Sequence, residues 1–185
     1  MNSFRRNLLR AGGIALAPLL AGLPGPAVAH HGWSLFNQDD PIYLEGVART
    51  VKWRNPHAEL ALDLAQPLRL PQDLATRLIP AQSSNVNIGA LLARARLPSG
   101  TASAWEIELA PLFRMSQWRV PEVRAGQSLA VLGFALHDSA QSRDASAPGA
   151  AGAPANASPA KDAPLMRAEL LFLEGRSYPL RSGPA

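Results

Sequence analysis

The chain has 185 residues, no cysteine, and 18 basic against 14 acidic side chains. Absence of cysteine excludes disulfides and thiolate chemistry. Arg5, Arg6 and Arg10 fall within the first ten residues; the remainder, with 15 basic and 14 acidic side chains, is nearly neutral and offers no electrostatic footprint for nucleic acid or an anionic membrane.

The first 29 residues read as an export signal. Arg5-Arg6 precedes the apolar pair Leu8-Leu9, the twin-arginine pattern, and a Gly- and Ala-rich apolar run follows from about Gly13 to Leu23. Gly25-Pro26 breaks that run, and Ala27-x-Ala29 supplies the small residues that a signal peptidase accepts. Cleavage after Ala29 is the expectation, which makes the mature protein a periplasmic chain of 156 residues beginning His30-His31-Gly32-Trp33. That length supports one domain with its own core, and no apolar run in it is long enough to span a bilayer.

The mature chain is predicted to be mainly β. Ile42 to Arg54 reads as a long strand in which Ile42, Leu44, Val47, Val51 and Trp53 alternate, with a shift of phase at Gly46. A glycine inside a strand marks a bulge or a sharp bend, the device by which one strand curls around a small barrel. Asn55-Pro56-His57 ends the run at a turn. A second strand carries Leu60, Leu62 and Leu64 on one face. Residues 65–104, broken by four prolines, read as an elaborated connection, with a helical turn at Asp73 to Leu78 and a short helix within Ile88 to Leu97. Trp105-Glu106-Ile107-Glu108-Leu109 alternates strictly and is the clearest strand, with Glu106 and Glu108 assigned to a solvated face. A short helix is expected over Leu112 to Trp118, strands over Leu129 to Phe134 and Leu165 to Leu173, and a short return strand at Tyr178 to Leu180. Residues 138–164, rich in Ala, Pro, Ser and Gly, lack large apolar side chains and read as a flexible surface loop.

Five or six strands without a βαβ rhythm favour an antiparallel sheet. A helix between the third and fourth strands points to a small OB-like barrel, and an Ig-like β-sandwich is the alternative.

Two histidine motifs, His30-His31-Gly32-Trp33 and Trp53-Arg54-Asn55-Pro56-His57, resemble those of a family of small exported bacterial proteins of unknown function. Trp105 to Leu109, Ala125-Gly126-Gln127-Ser128-Leu129 and the closing Glu174-Gly175-Arg176 are similar to that family as well. The chain departs from it in the longer 65–104 connection, in the 138–164 tract, and at Gln127, where an acidic residue is common. The resemblance implies a small exported β-domain and no activity.

The chemistry the residues support centres on His30, His31 and His57, three of the four histidines. A His30 freed by cleavage has an α-amine and an imidazole Nδ1 that can chelate one metal ion, and His31 or His57 would add a third nitrogen. A planar nitrogen set favours Cu(II) over Zn(II), with Asp39, Asp40 or Glu59 as partners orienting an imidazole. The simpler alternative has the terminal histidines solvated and His57 capping its turn; His137, beside the loop, reads as a surface residue. A copper oxygenase is disfavoured, because three of the four tryptophans suit the core, and no hydrolase motif accompanies Ser34 or Ser116. The chain is thus read as a non-enzyme, either a copper-binding protein or a metal-free module for an envelope protein or glycan.

Overall fold

The structure, a computed structural model, describes residues 32–137 and 163–185. The chain divides into the units Met1–His30 and His31–Ala185, and all described residues belong to the second. The predicted signal, the cleavage point at Ala29, His30, His31 and nearly all of the 138–164 tract lie outside the described residues.

Six strands form in chain order: β1 (Ile42–Lys52), β2 (Glu59–Leu64), β3 (Ala104–Glu108), β4 (Ser128–Ala135), β5 (Leu165–Leu173) and β6 (Arg176–Pro179). β1 pairs antiparallel with both β2 and β4, β2 with β3, and β4 with β5. The parallel pairing of β3 with residues 165–167 of β5 closes a five-stranded barrel. β6 pairs with residues 170–173 of β5, so the far half of that strand carries the closing hairpin. Helix α1 (Ile88–Arg94) lies in the connection before β3, and helix α2 (Leu112–Gln117) sits between β3 and β4. This is the OB-like arrangement expected from the strand count, and ring closure rules out the sandwich.

The interior is filled by side chains from all five barrel strands, among them Leu44, Leu62, Ile107, Val131 and Leu171. Two bulges set which side chains face inwards. β1 pairs Ala48 with Leu62 and then Thr50 with Ala61, leaving Arg49 unmatched. The inward series is therefore Ile42, Leu44, Ala48, Val51 and Trp53, while Val47 is 42% exposed. The phase shift expected at Gly46 lies three residues later, because a register slip needs an extra residue and Gly46 adds none. Gly46 serves a different end: a Cβ there would stand 1.9 Å from the Asp63 carbonyl oxygen. It occupies the overlap where β1 pairs with both β2 and β4.

The second bulge is in β5. Leu132 pairs with Leu170 and Gly133 with Ala168, leaving Glu169 as the extra residue. Met166 and Ala168 belong to the interior, as do Leu171 and Leu173, while Leu170 joins the outer cluster. The bulge thus turns Glu169 away from the barrel lumen.

The 65–104 connection has a packing reason. Leu74, Leu91 and Leu92 cover the outer faces of Tyr43, Leu132, Phe134 and Phe172, forming a second apolar cluster outside the barrel. The Asn87 side chain caps α1 by accepting from the Ala90 N–H at 3.0 Å. Arg96 anchors the segment, pairing its guanidinium with Asp40 and its carbonyl with the Tyr43 N–H at 2.8 Å.

Candidate functional site

The described chain begins on the outer surface of the barrel. Trp33–Leu35 forms a single 3-10 turn, and Phe36 bridges to Leu136 at the end of β4. Asn37 donates to the Ala135 carbonyl at 2.9 Å and His137 donates to that of Leu35 at 3.0 Å. These bonds hold Trp33 over β4 and β5, where its ring packs edge-to-face with Phe134 at 6.3 Å between centroids. The Arg181 guanidinium stacks 3.8 Å from the centre of the indole, with Arg167 at 5.1 Å.

His57 reaches the same place by another route. The Asn55–Pro56 peptide is cis. Beyond it, Ala58 exchanges backbone hydrogen bonds with Leu109 and Ala110 at the exit of β3. The His57 side chain is 15% exposed, and Nδ1 lies 3.5 Å from Glu108 Oε1. That oxygen also accepts from Arg167 Nε at 3.0 Å and from Nη2. Glu108 therefore sits between an imidazole and a buried guanidinium.

A second ion pair lies alongside. Arg181 Nε donates to Glu169 Oε2 at 2.7 Å, and its Nη1 donates to Gln38 Oε1 at 3.0 Å. Gln38 in turn donates to the Trp33 carbonyl at 3.0 Å, which ties the described N-terminal segment to the network. Glu169 is fully buried; desolvation pushes its carboxyl upward, and Arg181 opposes that shift. Glu169 Oε1 makes no hydrogen bond of normal geometry, although the Gln82 amide is near enough to favour the carboxylate. Trp33, His57, Phe113, Arg114, Arg167 and Arg181 line a cavity of about 190 Å³ beside α2.

The structure thus brings together Trp33 of one histidine motif and His57 of the other. His137 is exposed and lines a separate cavity of about 360 Å³ with Asp40, Arg96 and Trp105. Of the three carboxylates expected to orient an imidazole, two are engaged elsewhere: Asp40 pairs with Arg96 and Glu59 with Lys52; Asp39 forms no ion pair with a described residue. Glu108 takes that position. The expectation of a solvated Glu106–Glu108 face is corrected as well, since Glu108 is only 9% exposed and Glu106 is half-buried. Outer faces of barrel strands are solvated only where nothing packs on them, and here Glu108 is paired with Arg167 and His57, with Trp33 and Phe36 packed on Arg167. Trp105 is in the core, and Trp53 and Trp118 pack against it, as expected. Sequence reasoning missed Arg167, Glu169 and Arg181. The signal was there: Leu165 to Leu173 carries an arginine and a glutamate inside an otherwise apolar strand, which calls for buried partners.

Glu106 offers a pH test of this burial. Its Oε1 is buried without a hydrogen bond, and desolvation raises its pKa, with Lys52 and Arg49 pulling the other way. Folding thus penalises the charged form, so the contribution to stability is fullest below the unfolded-state value of about 4.3 and is lost as pH rises through the higher folded value. Glu106→Gln is expected to raise Tm at pH 7 and to give no gain well below pH 4. Equal gains at both pH values would refute the ionisation account.

Among the described residues no group of three or more His, Asp or Glu side chains is placed to hold a metal ion. No helix among them is long and apolar enough to cross a membrane. Residues 18–72 match the model of a family of unknown function, DUF6152. The match takes in both histidine motifs, β1 and β2, under a third of the chain, and agrees with the resemblance read from those motifs. It carries no activity. Neither the curated proteins nor the solved structures returned a match.

Proposed function

We propose that this is an exported protein that binds Cu(II) through a processed N-terminal His30, with His57 or His31 as a further nitrogen ligand. The observation that supports it best is the shared cavity of Trp33 and His57, two residues from motifs 24 positions apart. The contact of His57 Nδ1 with Glu108 at 3.5 Å supports the reading, since a carboxylate beside an imidazole is the kind of partner that orients a metal-binding histidine. Amine and imidazoles must be deprotonated to bind, so affinity falls as pH drops below the α-amine range of about 8 and further below the imidazole range of about 6.5.

The test begins with the N-terminus of the periplasmic form, which mass spectrometry should place at His30. Titration of that protein with Cu(II), followed by EPR, is expected to show nitrogen hyperfine structure. His30→Ala, and separately one extra residue before His30, should abolish the tight site. His57→Ala should weaken it about tenfold or more, no less than the loss seen when a group that only orients a ligand is removed. Identical copper spectra and affinities in all four proteins would discard the metal reading in favour of a metal-free binding module.

A further inference from the structure

The cavity beside α2 has a charge pattern that the copper reading does not use. Its polar lining consists of His57, Arg114, Arg167 and Arg181, with no carboxylate. Glu108 and Glu169 stand behind it and neutralise Arg167 and Arg181. Arg114 has no carboxylate within ion-pairing distance among the described residues; its guanidinium rests over the Phe113 ring at 5.4 Å. The donors tell the same story. Arg167 uses Nε and Nη2 on Glu108, and Arg181 uses Nε and Nη1 on Glu169 and Gln38. Among the described residues, Arg167 Nη1, Arg181 Nη2 and the whole Arg114 guanidinium donate to no acceptor. None of these nitrogens is a fully buried atom lacking a partner, so each is open to the cavity or to solvent.

We propose that this cavity is a binding site for a small carboxylate. Guanidinium forks match a planar carboxylate, and unused N–H groups beside an indole and Phe113 form a partly desolvated pocket in which charge-assisted bonds are stronger than in water. Arg114 supplies the uncompensated charge, and Arg167 and Arg181, held rigidly by their glutamates and by Trp33, supply preorganised donors. About 190 Å³ admits an acid of a few carbon atoms and excludes a folded chain. The proposal stands without copper, since it needs neither His30 nor any metal.

The test uses the metal-free mature protein in EDTA, with malonate as probe against sodium chloride of equal ionic strength. Malonate is expected to raise Tm saturably, as a ligand binding only the native state must. In two-dimensional NMR it should shift the Trp33 indole N–H, while that of Trp118, which is bonded to the Ser182 carbonyl at 2.8 Å, stays put. Arg114→Gln should lower malonate affinity at least tenfold and Arg114→Lys should fall between, each having its Tm in chloride measured first. Arg176→Gln, an exposed arginine on β6, should change nothing. No saturable effect beyond chloride, shifts in wild type that miss Trp33, or an undiminished response in a folded Arg114→Gln would each overturn the proposal. Because copper is absent throughout, failure here leaves the copper titrations to stand or fall separately.

Discussion

Gly46→Ala is expected to destabilise the barrel by at least about 3 kcal/mol, the upper part of the range for forced overpacking. An added Cβ would stand 1.9 Å from the Asp63 carbonyl oxygen and 2.8 Å from its carbonyl carbon. These are backbone atoms inside the β1–β2 ladder, so relief requires moving a strand. The ladder is registered here, with Gly46 opposite Leu64 on β2 and opposite Leu129 on β4. Pushing β2 away opens one seam, and tilting β1 opens the other. For a domain of this size the loss corresponds to a Tm lower by roughly 6–12 °C. Gly89→Ala in α1 is the matched comparison. Its Cβ would meet only the Asn87 side chain at 3.6 Å, and helix propensity favours alanine by up to about 1 kcal/mol. Thermal melts of the two variants should therefore move in opposite directions. A Gly46→Ala protein melting within about 2 °C of wild type would mean that this seam is looser than described.

Glu108→Ala is expected to cost about 3–5 kcal/mol, the loss typical of a buried charge left without its partner. Arg167 is 7% exposed and sits between Trp33, Phe36 and Glu108, so losing the carboxylate leaves its charge uncompensated in a largely buried place. Removing the arginine as well should recover most of the loss: the double variant Glu108→Leu with Arg167→Met is predicted to be close to wild type in urea denaturation. The pair therefore earns its place through what it positions. Glu108 Oε1 also faces His57 Nδ1 at 3.5 Å, and the double variant should keep the fold while weakening the proposed copper site. If the double variant is as unstable as Glu108→Ala, the cost is one of packing and the ion-pair account is wrong.

Much of the fold was legible locally. Alternation marked β3 and β2, the proline and glycine breaks separated the strands, and the helix between the third and fourth strands pointed to the barrel. The bulges were only half legible. A phase change in β1 was visible, yet its position at Arg49 was set by pairing with β2, which a single strand cannot display. In β5 apolar residues fall in both the inward and the outward series, so the extra residue at Glu169 left no clear change of phase in the pattern. The candidate site was less legible. His57 was found by its motif, but its neighbour Glu108 lies 51 residues away and looked like one half of a solvated face.

By itself the sequence determined the strand content, the near balance of charge beyond the first ten residues, the absence of thiol chemistry and the two histidine motifs, because these depend on residue type and local spacing. Only the tertiary structure decided that Trp33 and His57 share a cavity, that Glu108 is buried, and that Arg167 and Arg181 stand beside them. The reason is physical. Burial of an outer strand face depends on which distant segment lies across it, and here the chain leading into β1 folds back over β5. That return packs Trp33 and Phe36 on Arg167, the buried partner of Glu108.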